Sequence, residues 1–165
     1  MAPLDPIFVH ESGHAFVAHH FGGEVVRCEV FGADGGGVTR FRGLSRRAAL
    51  RFAVAGHVAV KLAFGAAAAD PEMSAKDVEL ACGIALGIVR MGEAKRLAAR
   101  GLDEPTEAML ARYGERAAKL IEFAEADVAE ILAANVATLR LLAEHLQEHG
   151  ELDDATVKGI VAGAA

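Results

Sequence analysis

The chain has 165 residues, enough for one domain with a core and too few for two ordinary ones. Its apolar fraction of 53% excludes a disordered chain, and its net charge of -6 argues against a nucleic-acid partner, which would need a basic surplus. Alanine is the commonest residue and aromatics are scarce, so helix is favoured over strand.

The first nine residues carry no basic n-region, and Pro3, Asp5 and Pro6 interrupt them, so no secretory signal is read there. Asp5 and Pro6 read instead as the N-cap and first position of a helix running to about Phe21 and stopped at Gly22-Gly23. Glu24 to Phe31 is rich in β-branched residues. A glycine-rich turn, Gly32 to Gly37, leads into Val38 to Phe41, and together they predict a β-hairpin. Ser45 caps a second helix ending near Gly65. Ala48 to Ala69 is the most apolar stretch, but Arg51, His57 and Lys61 interrupt it, so no direct membrane insertion is expected. With Arg47 these form one narrow stripe, the wet edge of a nearly buried helix. Ala66 to Met73 reads as a loop. Ser74 then caps a third helix to about Met91, followed by a short basic helix over Glu93 to Arg100. Pro105 opens a long helical tract striped by Ile121, Ala124, Val128, Ile131 and Leu132. Asn135 restarts it through Leu139, Leu142 and Leu146 to Gly150, and a last short helix follows Asp153-Asp154. The expected fold is mainly α, with one small β-hairpin after the first helix and a C-terminal helical bundle. It is read as a single domain, 1–165, with a hairpin-bearing half over 1–92 and a helical part over 93–165.

The residues His10 to His14 read HESGH and fit HExxH, the metallopeptidase pattern. Two histidines four apart on a helix lie on one face and can bind the same Zn²⁺. Glu11 stands beside that face, placed to take a proton from a water that zinc has made acidic. A catalytic zinc needs a third protein ligand from another element, and His57, Asp70, Glu72, Asp77 and Glu79 are candidates. Asp77 leads a helix whose next dozen residues carry one other charge, which suits a carboxylate facing a metal. It equally suits a capping box with Ser74. His19 and His20 point away from the zinc face. His57 lies on the polar stripe and reads as a core-edge residue. Gly83 and Gly87 have the spacing of close helix packing, with the first helix as the expected neighbour. Gly35 to Gly37 read as a flexible turn. Cys28 and Cys82 make neither a disulfide framework nor a zinc knuckle and read as buried small hydrophobes. No further cofactor-binding residues are read.

These segments resemble the FtsH family of membrane-bound AAA zinc proteases. HESGHAFVAHHFG is similar to that family's HEAGHA segment, and AGHVAVKLAFG (Ala55 to Gly65) to the segment preceding its third ligand. SAKDVELA (Ser74 to Ala81) looks like the segment whose aspartate is the zinc ligand. The tract from Ile131 to Val157 is similar to its closing helices. The resemblance implies the ligand set His10, His14 and Asp77, with Glu11 as general base. Three departures stand out. The 165 residues hold no GxxxxGK[ST] phosphate loop and no transmembrane segment, and the connection from hairpin to second helix, Arg42 to Leu44, is short.

The expectation is a zinc metallopeptidase that cleaves flexible or unfolded polypeptides without an ATPase of its own, in the cytoplasm. The hairpin offers an edge for binding an extended peptide. The alternative is a zinc-stabilised binding or regulatory module with little peptidase activity. A homo-oligomer or a separate ATPase partner is compatible with either.

Overall fold

The computed structural model describes residues 3–31, 36–66, 71–101 and 104–164, and of residues 71–73 the backbone alone. The elements in chain order are α1 (Pro6–His20), β1 (Glu24–Phe31), β2 (Gly36–Arg42), α2 (Arg46–Phe64), α3 (Pro71–Ala98), α4 (Glu107–Ala134), α5 (Val136–His149), β3 (Glu151–Leu152) and α6 (Asp154–Ala164). The protein is mainly α with a small antiparallel sheet, as expected. Among the described residues no helix is long and apolar enough to cross a membrane.

The helix starts follow local chemistry. Asp5 caps α1, its side chain accepting from the Ile7 amide with Pro6 at the first position, and Ser45 caps α2 by accepting from the Ala48 amide. The Asn135 amide donates to the Leu132 carbonyl and its side chain to the Ile131 carbonyl, separating α4 from α5. Gly150 closes α5 in the left-handed conformation.

α2 sits at the centre, packed against α1, α3 and α4, while α5 covers the other side of α1. Its polar stripe is a wet edge only at its ends, where Arg47 and Lys61 are exposed. Between them α4 docks: Arg51 Nε donates to Asp127 Oδ2 at 3.1 Å and His57 Nε2 meets Glu125 Oε1 at 2.7 Å. Gly13 permits the tight α1–α2 contact, since a Cβ there would stand 2.6 Å from that of Ala59.

Three expectations are corrected. α3 begins at Pro71 rather than Ser74, because a proline is well tolerated in the first helical turn, and the loop read over Ala66 to Met73 is shortened accordingly. Residues 67–70 of that loop lie outside the described residues. α3 also runs unbroken through Gly92 to Ala98, where two helices were expected. A mid-helix glycine costs about 1 kcal/mol. The stripe Ala81, Ala85, Val89, Glu93 and Leu97, buried at every fourth residue, outweighs it. Finally, the hairpin gains a third strand. β3 pairs with β1 through Cys28–Leu152 and Glu29–Glu151, giving the order β2-β1-β3, with Leu152 buried. A two-residue strand has no periodicity to betray it.

Candidate metal centre

α1 carries His10, Glu11 and His14 into the interior, where all three are buried. α3 brings Asp77 to them. Asp77 Oδ2 lies 2.8 Å from His10 Nε2 and 3.0 Å from His14 Nε2, and the two nitrogens are 3.2 Å apart. Among the described residues these three make up a group able to hold a metal ion. Of the other candidates, His57 is engaged with Glu125 and Glu79 is exposed. Asp70 and the Glu72 side chain lie outside the described residues. His19 and His20 stand apart, His20 stacking on Phe16.

The donor chemistry fits a cation. His14 Nδ1 lies 2.7 Å from the Phe52 carbonyl, which only accepts, so Nδ1 carries the proton and the neutral ring presents a bare Nε2. That nitrogen faces another imidazole nitrogen and a carboxylate oxygen. Three lone-pair donors converging on one point repel unless a proton or a metal stands among them. Ligands about 2 Å from a tetrahedral zinc stand about 3.3 Å from one another, close to the spacing seen. Without metal, a proton fills the gap. Burial opposes the charge on His14, but Asp77, with help from Glu11 and the Phe52 carbonyl, raises its pKa above the ordinary value. Burial likewise opposes ionisation of Asp77, and the two imidazoles outweigh it, holding that carboxyl well below the usual range.

Two glycines give the site its room. A Cβ on Gly56 of α2 would fall 2.4 Å from His10 Nε2 and 2.6 Å from His14 Nε2. A Cβ on Gly37 would fall 2.6 Å from Glu11 Oε1. Gly37, read from sequence as part of a flexible turn, is a strand residue of β2 that lets the sheet lie against Glu11; Gly35 lies outside the described residues. Two positions further on, Thr39 Oγ1 donates to Glu11 Oε2 at 2.7 Å. No sequence signal pointed to Thr39 or Phe52, and the resemblance covered Gly56 without giving it a role, because each acts through a contact across the fold.

The cleft holding these groups has a volume of about 440 Å³, with Arg40 on the strand side and Lys76 on the helix side. Gly83 and Gly87 do not pack against α1 as expected. Among the described residues no neighbouring atom lies within 4 Å of a Cβ at Gly83, and both glycines border an open groove of about 600 Å³ with Arg46, Leu80 and Ile84. Cys28 is buried as expected, while Cys82 is exposed. Burial pushes the Cys28 thiol up to about 12.

No curated protein matches this sequence. The Peptidase M50B-like family matches residues 4–91, a span containing His10, Glu11, His14 and Asp77. With more than half its length so matched, the chain belongs to the Peptidase M50B-like family, a family of zinc metallopeptidases.

Proposed function

We propose that this chain is a zinc endopeptidase with an FtsH-like site, in which His10, His14 and Asp77 hold the metal and Glu11 is the general base. The observation that carries the reading is a group of three metal donors beside a fourth, buried carboxylate that is not among them. Glu11 is 5% exposed and held by Thr39, an arrangement a purely structural zinc site has no use for. Zinc bound here supplies a Lewis acid for the scissile carbonyl and makes the attacking water acidic near neutral pH. Glu11 accepts the proton of that water and passes it to the leaving amine. The Thr39 hydroxyl fixes the carboxylate in the orientation this transfer needs.

β2 is an outer strand of the sheet, and Gly37 to Arg40 border the cleft. An extended peptide that adds to this edge is laid across Glu11 and the metal donors. The substrates are flexible or unfolded polypeptides, because strand addition needs an extended backbone. Two unpaired cysteines suit a reducing compartment such as the cytoplasm.

Metal analysis of the purified chain, with cleavage of unfolded casein and a peptide library by wild type and Glu11→Gln, tests the proposal. Stoichiometric zinc and cleavage abolished by Glu11→Gln are expected. Zinc retained with no Glu11-dependent cleavage of any substrate would leave the binding-module reading in its place.

A further inference from the structure

Far from the metal centre, four of the 17 basic side chains gather in one place. Arg96 in the last turn of α3, Arg100 just beyond it, and Arg112 and Arg116 of α4 border a cleft of about 410 Å³ that Met109 also lines. The cleft lies on the order of 30 Å along the α3 axis from Asp77. It falls after the span matched by the family. In a chain of net charge -6, four guanidiniums around one small space reverse the local sign.

One carboxylate is set among them. Glu93 is 6% exposed and accepts from Arg96 Nη1 at 2.8 Å and from Arg116 Nη1. Arg116, with Arg96 adding to it, holds the Glu93 carboxyl below the usual range, so it stays ionised. It neutralises one charge and fixes two guanidiniums on the cleft wall. Among the described residues no carboxylate forms a salt bridge with Arg100 or Arg112. Like charges gathered in this way repel, and an anion between them relieves the repulsion. Guanidinium forks match phosphoryl oxygens in pairs. The volume lies within the range of small-ligand sites and is large for a single monatomic ion.

We infer that this cleft binds a compact anion bearing phosphoryl groups, with Arg100 and Arg112, unpaired among the described residues, as its forks and Glu93 holding Arg96 and Arg116 in place. The inference stands apart from the peptidase reading, since it shares no residue with the metal centre.

Calorimetric titration with inorganic pyrophosphate tests a free ligand, and co-sedimentation with phosphatidylcholine vesicles containing phosphatidylglycerol tests a lipid headgroup. Pyrophosphate is expected to bind with a Kd below about 1 mM. That binding should survive Asp77→Ala, which removes any chelation at the metal centre. The double variant Arg100→Ala, Arg112→Ala should weaken it about tenfold or more, with an unchanged helical spectrum. Vesicle binding without pyrophosphate binding, lost in the same double variant, assigns the phosphoryl group to a headgroup. Failure of both probes to bind, or equal binding by the double variant, overturns the inference.

Discussion

The missing side chain of Gly56 and the Nε2 of His10 compete for one place: a Cβ at residue 56 would stand 2.4 Å from that nitrogen. α2 thus presents bare backbone to the candidate metal donors of α1. Gly56→Ala should favour the helix by about 1 kcal/mol in propensity alone, yet it should displace both histidine rings. A fall in zinc affinity of about a hundredfold is expected, on the scale of losing a ligand or its support. Competition with a chromogenic chelator measures it, and a Gly56→Ala variant that binds zinc as wild type does would mean the rings have room the structure denies them.

Thr39→Val keeps the shape of the side chain and removes the hydroxyl bonded to Glu11 Oε2. A hydrogen bond to a charged group contributes about 1.5–3 kcal/mol, so kcat should fall roughly 10- to 100-fold. Zinc content should not change, since Thr39 touches none of the metal donors. Steady-state kinetics beside metal analysis separates the two effects. Equal kcat in both proteins would remove Thr39 from the mechanism.

The pH dependence of the metal-free chain follows from two opposed shifts. His14 has a pKa raised above 6.5, so it contributes stability that is complete below pH 6.5 and is lost as pH rises through the folded value. Asp77 is depressed below 3.8, so it contributes stability that is complete above that pH and is lost as pH falls through the folded value. The contribution of the pair is therefore greatest between 3.8 and 6.5. Zinc must displace the proton of His14, so its affinity should climb as pH rises past 6.5. Thermal melts of the chelated protein across this range should show the plateau, and Asp77→Asn should flatten both flanks. Flanks that persist in Asp77→Asn would place the titration elsewhere.

The two thiols should differ sharply. Cys82 is exposed on α3, whereas Cys28 is buried in β1 with its thiol pushed up to about 12. A disulfide reagent at mildly alkaline pH should modify one thiol per native chain and the second only after unfolding. Two fast equivalents in the native protein would show that β1 opens readily.

Much of this protein is legible in its sequence, and the legible parts are local. The Asp5-Pro6 start of α1, the Ser45 cap of α2, the bounds of β1 and the restart at Asn135 depend on residues within a turn or two of one another. HESGH is local too, because four residues of helix suffice to put His10 and His14 on one face. Where the reading failed, a distant partner decided. α3 continues through Gly92 because its buried stripe packs in the core, and β3 exists because Leu152 meets Cys28. By residue type alone, five side chains could have completed the metal group; the family resemblance implied Asp77, and the packing of α3 on α2 sets it beside the histidines. Of the residues that shape the site, Thr39 and Phe52 bear no motif at all, and Gly37 and Gly56 lie in segments whose pattern does not reveal what they face. Their roles are defined by distances of a few ångströms between elements far apart in the chain. The sequence by itself determined most of the helix starts, the hairpin and the pair of histidines on one helical face. Tertiary structure alone decided what surrounds that pair, because a hydrogen bond or a close approach across the fold leaves no periodic trace along the chain.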